Sequence, residues 1–218
     1  MLGLNLLEEY ICRSIPTGVE FATNPNLRKK VDDTGCFLPY WGNTVVFLLK
    51  NETKQVLAKF QQELYRAAAS MLAKPLDADT FHTTLHDLVN GIAPEPERMA
   101  FIAQQVRPML EQWNDFPPLR MKATWMFNMV NTSIVLGLAP TDPGSKQRLE
   151  EMYDALEAVL PLGYALTPHI TLAYFRPGTY SSEQADALRR ALRPAELELE
   201  LSKPVLQEFS DMNHYRNI

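Results

Sequence analysis

The chain has 218 residues, 46% of them hydrophobic and 22% charged, with a formal net charge of −5. These values describe a globular chain able to bury a sizeable core and exclude a disordered chain, a fibre or a coiled coil. The acidic balance argues against a broad basic face for a DNA duplex or a long RNA.

No stretch approaches the ~20 apolar residues of a membrane span, so no membrane partner is expected. The start, MLGLNLLEEYICRSI, lacks a basic region and carries Glu8 and Glu9 inside its apolar run, unlike a secretory signal. Cys12 and Cys36 are too few for a disulfide framework, which suits a reducing cytoplasm.

In chain order, residues 2–14 read as a short amphipathic helix, and Pro and Gly punctuate an irregular stretch to residue 43. Residues 44–49 form an apolar, β-branched strand. Asn51 is the expected cap of a helix over 52–73, in which Val56, Leu57, Phe60, Leu64 and Ala68 recur at helical spacing. A strand follows over 80–88, then a helix from Pro96 to Trp113, expected to be disturbed at Pro108. Strands over 119–129 and 132–138 flank a turn at Asn131. A helix over 145–159 and a strand over 170–175 come next. Ser181 or Ser182 caps a helix to about residue 192. Residues 196–201 alternate as a strand, with 204–209 as its expected hairpin partner. The organisation is an N-terminal extension (1–43), one domain (44–212) and a tail (213–218) that holds His214.

The pattern contains an internal echo. Strand, helix and strand over 44–88 are repeated over 132–175, and each half closes on a strand with a histidine. That suggests two lobes related by pseudo-symmetry around a shared cleft. Two of the four histidines head the same tetrapeptide, His82-Thr83-Thr84-Leu85 and His169-Ile170-Thr171-Leu172. Residues i and i+2 of a strand share a face, so His82 with Thr84 and His169 with Thr171 would converge on the cleft. Two imidazoles near neutrality supply a base and an acid. Two hydroxyls supply donors to non-bridging phosphate oxygens. No metal or cofactor is required by such a set.

These paired motifs, TFHTTLHDL and TPHITLAYF, resemble those of the 2H phosphoesterase superfamily, which includes the RNA 2′,3′-cyclic phosphodiesterases and the 2′-5′ RNA ligase-like proteins. The resemblance covers roughly residues 40–212. The segment GCFLPYWGNTVV looks like the bacterial hypothetical branches of that family. The resemblance implies an α+β, bilobal fold of two pseudo-symmetric lobes with antiparallel sheets flanked by helices and a central cleft. It implies metal-independent phosphodiester chemistry on a nucleotide or short RNA end carrying a cyclic or 2′-linked phosphate. His82 and His169 would be the acid/base pair, and Thr84 and Thr171 the phosphate contacts. A nucleotide-binding sensor with the same cleft and little turnover is the alternative.

Six further side chains are candidate substrate contacts. An unbroken strand would point His86 to the same face as Thr84. Tyr40, Trp41 and Tyr174 could stack on a base. Arg120 and Arg176 could meet a second phosphate. His82 and His86 also form HxxxH, but on a strand and without the Glu of a zinc helix, so no metal site is expected.

Overall fold

The computed structural model describes residues 3–4 and 15–218, so the expected helix over 2–14, apart from residues 3 and 4, lies outside the described residues. Ten strands and four α-helices occur among them. The strands are β1 (Phe21–Ala22), β2 (Trp41–Leu48), β3 (His82–Gly91), β4 (Leu119–Met129), β5 (Ser133–Pro140), β6 (His169–Tyr174), β7 (Thr179–Tyr180), β8 (Glu198–Leu201), β9 (Pro204–Asp211) and β10 (His214–Asn217). The helices are α1 (Asn51–Ala68), α2 (Pro96–Trp113), α3 (Pro143–Val159) and α4 (Ser182–Ala191).

Local chemistry explains most boundaries. In α1 the residues Leu57, Gln61, Leu64 and Ala68 are buried at three- and four-residue spacing, which gives one buried stripe. Asn51, expected as its cap, is instead the first helical residue, one position past Lys50. The α3 cap is Asp142, whose carboxylate accepts from the Ser145 amide. Ser181 caps α4 in a reciprocal capping box with Gln184. Helix α2 runs on through Pro108. Pro108 and Gln104 both lie on its exposed face, so the carbonyl left without a donor meets water.

One antiparallel sheet of eight strands carries the domain, in the order β10-β9-β2-β3-β6-β5-β4-β8. It divides into four strands and four strands, and the two halves meet at a single residue pair, Thr83 with Ile170. The two lobes thus share one sheet. Residues 196–201 and 204–209 are not hairpin partners: β8 pairs with β4 at one end of the sheet, and β9 with β2 near the other. Only Ser202 and Lys203 join them, and three residue steps span at most about 11 Å. The sheet must therefore curl into a half-barrel that brings its ends together, and Lys50 at the exit of β2 pairs with Glu200 on β8 at 3.2 Å. Residues 213–218, expected as a tail, hold β10, the hairpin partner of β9.

The helices cover the back of the sheet. α2 and α3 pack against β3, and α1 packs against β6 with α4 against α1. The described part of the extension is tied to the domain. β1 pairs with β7, and Asn24 donates through its amide to the Val130 carbonyl. Val130 and Asn131 both have positive φ, 44° and 60°, at the β4–β5 turn. A β-branched residue rarely adopts that conformation, so the neighbouring structure must hold the turn in place. Among the described residues no helix is long and apolar enough to cross a membrane.

Candidate active site

The pairing of Thr83 with Ile170 turns both of those side chains to the same face of the sheet. Their neighbours His82, Thr84, His169 and Thr171 therefore share the opposite face, which is the concave one. The two residues of the pair are 87 apart, the same separation as His82 from His169 and Thr84 from Thr171. A half-turn about the axis through the pair therefore superposes one motif on the other. All four motif residues line a single cleft of about 640 Å³. This volume suits a small-molecule ligand.

Beyond the motifs both strands slip by one residue at the same place. Thr84 pairs with Val46 but His86 with Val45, so Leu85 is the extra residue of a bulge. Thr171 pairs with Val135 but Ala173 with Ile134, so Leu172 bulges likewise. A bulge reverses the alternation after it. His86 and Ala173 thus turn to the back of the sheet, while Asp87 and Tyr174 turn into the cleft.

Each catalytic candidate is held in one tautomer. His82 Nδ1 lies 2.7 Å from the Thr80 carbonyl, and His169 Nδ1 lies 2.6 Å from the Thr167 carbonyl. A carbonyl only accepts, so both Nδ1 atoms carry hydrogen and both Nε2 atoms are left to gain or lose a proton. Burial pushes both imidazoles below the usual histidine value of 6.5, against the pull of those carbonyls and of the Asp87 charge. His82 is lowered further by the nearby His169 and Lys54. Its ring meets Tyr215 edge-on, with centroids 4.9 Å apart.

No protein-family model matches the sequence, and no curated protein matches it. Solved structures do. A conserved protein of unknown function from Agrobacterium tumefaciens superposes with a TM-score of 0.62 at 19% identity, over 91% of this chain and 93% of that one. LigT of Escherichia coli gives 0.55 at 14%, over 83% and 96%. A Thermus thermophilus protein gives 0.52 at 18%, over 81% and 94%. The fold is that of the 2H phosphoesterases. LigT has also been solved in complex with 3′-AMP, with phosphate and with ATP.

Within this 2H fold the remaining expected contacts have mixed fates. His86 is among the residues that line the cleft, but the Leu85 bulge takes its side chain out of line with Thr84, toward the back of the sheet. Its side chain is fully buried there, with Nε2 3.0 Å from Glu157 Oε1 and the ring tilted on Tyr153. The same bulge keeps His82 and His86 on opposite faces, so the HxxxH pair cannot close on one ion. Tyr174 does face the cleft, but its hydroxyl donates to Met212 Sδ at 3.1 Å and its ring packs on Phe37. Burial holds that phenol well above the usual tyrosine value. Tyr40 lines the cleft wall and is only 8% exposed; its hydroxyl donates to Asn90 and its ring stacks with Phe209. Trp41 lines a second depression, beside Met99 and Pro96, that shares His82 and Tyr215 with the first. Arg120 pairs with Asp142 at 3.3 Å, and neither Arg120 nor Arg176 lines the cleft. His214 pairs with Asp211 on the exposed edge strand.

Asp87, Tyr215 and Lys30 are among the cleft residues that have no counterpart in the sequence expectations. Asp87 adjoins the first motif and is exposed to the cleft only because of the bulge. Tyr215 comes from β10, and Lys30 from the extension. A lysine in a loop without periodicity leaves no sequence signal of where it points.

Proposed function

We propose that the protein is a metal-independent phosphodiesterase that opens a cyclic phosphate, or cleaves a 2′-linked one, on a nucleotide or short RNA end. The observation that carries this reading is the matched pair of Nδ1–carbonyl bonds, which leaves two equivalent Nε2 atoms aimed at one cleft. The cleft volume and the net charge favour a small ligand over a long RNA.

With a 2′,3′-cyclic phosphate on the axis, the Thr84 and Thr171 hydroxyls donate to the two non-bridging oxygens. One neutral Nε2 takes a proton from the attacking water as its oxygen bonds to phosphorus. The opposite, protonated Nε2 gives its proton to the ribose oxygen as the phosphorus–oxygen bond breaks. The product is a phosphomonoester with one new hydroxyl, and the histidine pair ends with its proton on the other ring. Burial favours two neutral imidazoles, and the bound phosphate anion favours protonation of one, so substrate itself assembles the acid/base pair.

The test is turnover of 2′,3′-cyclic nucleotides and 2′-5′ dinucleotides with EDTA present, with His82→Ala and His169→Ala alongside. Turnover that survives EDTA and falls by about 10²- to 10⁴-fold in each variant supports the reading. Tight binding with no turnover supports the sensor instead. Turnover that persists in both variants refutes the two-histidine mechanism.

A further inference from the structure

The extension forms a strap across one side of the cleft. Its Asn24 amide donates to the Asn131 carbonyl at the β4–β5 turn, and the Asn131 side chain donates back to the Ala22 carbonyl. At the other end the Tyr40 amide donates to the Ser210 carbonyl on β9, and the Tyr40 hydroxyl to Asn90 on β3. The strap thus bridges the two lobes. Between these anchors, a 3-10 turn over Pro25–Lys29 presents Lys30 to the cleft. The backbone of Lys30 is fixed on both sides: its amide donates to the Leu27 carbonyl, and its carbonyl accepts from the Leu38 amide, both at 2.9 Å.

The Lys30 ammonium lies 4.8 Å from the centroid of the Tyr40 ring. It makes no hydrogen bond and no ion pair among the described residues, although it is half-buried. Burial pushes its pKa down, and the Asp87 charge opposes this. Asp87 is the one carboxylate among the residues lining the cleft, and it lies beyond ion-pair distance of the ammonium. A partly desolvated cation with an aromatic face beneath it and no acceptor is a site arranged for an anion.

That anion is not the reacting phosphate. The histidine and threonine pairs already surround the axis. Asp87 and Thr84 pair with Thr44 and Val46, two residues apart on β2, so Asp87 lies about 7 Å along the sheet from Thr84. The Lys30 ammonium, over the Tyr40 ring on the cleft wall, addresses a group next to the strap.

We propose that Lys30 selects substrates that carry a second phosphate, at the 5′ end of the nucleotide whose cyclic or 2′-linked phosphate is cleaved. This deepens the reading above and rests on it in placing the reacting phosphate between the histidines. The site would favour a nucleotide phosphorylated at both ends over one with a free 5′-hydroxyl.

The test has a binding arm and a kinetic arm. In the binding arm, calorimetry at fixed ionic strength compares adenosine 3′,5′-bisphosphate with 3′-AMP. The wild type is expected to bind the bisphosphate about ten- to a hundred-fold more tightly, the range of a hydrogen-bonded charged pair. Lys30→Met keeps the stem on Tyr40 and removes the charge, and is expected to erase that preference. Lys30→Arg is expected to restore most of it, and Lys59→Ala, the same charge change on the exposed face of α1, to leave it intact. In the kinetic arm, adenosine 2′,3′-cyclic phosphate is compared with and without a 5′-phosphate. The wild-type preference is expected in kcat/KM, and Lys30→Met is expected to bring the ratio close to one, chiefly through KM. Equal binding of the two probes by the wild type overturns the proposal, as does an equal loss of both in Lys30→Met. If neither cyclic substrate turns over, the reaction fails while the binding arm still decides the role of Lys30.

Discussion

Asp87 stands to His82 as Tyr174 stands to His169. Each lies five positions beyond its histidine, past a bulged leucine, and each turns into the cleft. The two halves of the site are matched through the motifs and diverge at this position, where one half offers a carboxylate and the other a phenol.

Removing the carboxylate has a defined sign. The Asp87 charge raises both His82 and His169, against the lowering by burial. Asp87→Asn is therefore expected to lower both imidazoles further. The wild-type bell in kcat/KM is expected to centre on the acid side of 6.5, and the variant bell to lie further to the acid side. A pH–rate profile of both proteins reads this directly, and a shift of the bell toward alkali would contradict the assignment.

The threonines are open to an isosteric test. Thr84→Val and Thr171→Val keep volume and strand preference while deleting the hydroxyl. Each is expected to lower kcat by about 10²-fold, the cost of losing one transition-state donor, with little change in Tm. Unchanged kcat in both would remove these residues from phosphate binding.

Acid stability follows from the buried imidazoles. His82, His86 and His169 are all held below 6.5, chiefly by burial. As pH falls through 6.5 the unfolded chain takes up protons that the folded chain refuses, so stability is complete above that value and declines below it. Glu157 is held below the usual carboxylate value, by the Leu162 and Gly163 amides and by His86 acting against its burial, so its own contribution fades only at lower pH. Thermal melts at pH 7.5 and 5.5 should show the decline, and His86→Met should make it shallower. A wild-type Tm that rises on acidification would refute the account.

Gly42 is expected to be the least replaceable glycine of the domain. A Cβ there would lie 2.4 Å from the Val89 carbonyl oxygen and 2.5 Å from Phe209 Cζ. Backbone on one side leaves no room to give, so Gly42→Ala should cost about 1–3 kcal/mol in urea unfolding. Gly18→Ala is the contrast, with open space around its Cβ position but a φ of +71°, so backbone strain alone accounts for its loss.

Much of the fold was legible because it rests on local signals. Helical stripes such as Leu57–Leu64, the Ser181 cap and the β-branched run Thr44–Val46 each point to one element. The repeated His-x-Thr brought four site residues to one face by strand alternation alone. What escaped depends on pairing between distant segments. The Leu85 bulge is defined by what Val45 and Val46 oppose, and nothing in Thr-Leu-His-Asp announces it, so unbroken alternation gives His86 the place that Asp87 takes. The sequence neighbours β8 and β9 read as a hairpin because turn length alone does not say that the sheet curls. The polar β10 strand has no alternation to reveal it, and Tyr215 was lost with it.

On the proposed reading, the half-turn that relates the two motifs leaves a phosphate on the axis with no sense of direction. Seen from there, the imidazole and hydroxyl on one side are copies of those on the other, and either ring could take the first proton. The order of events must be written by whatever breaks the equivalence. In this protein that is the carboxylate at 87 against the phenol at 174, and a strap that reaches one side of the cleft. On the proposed reading, which imidazole serves as base is decided by the residues the two halves do not share.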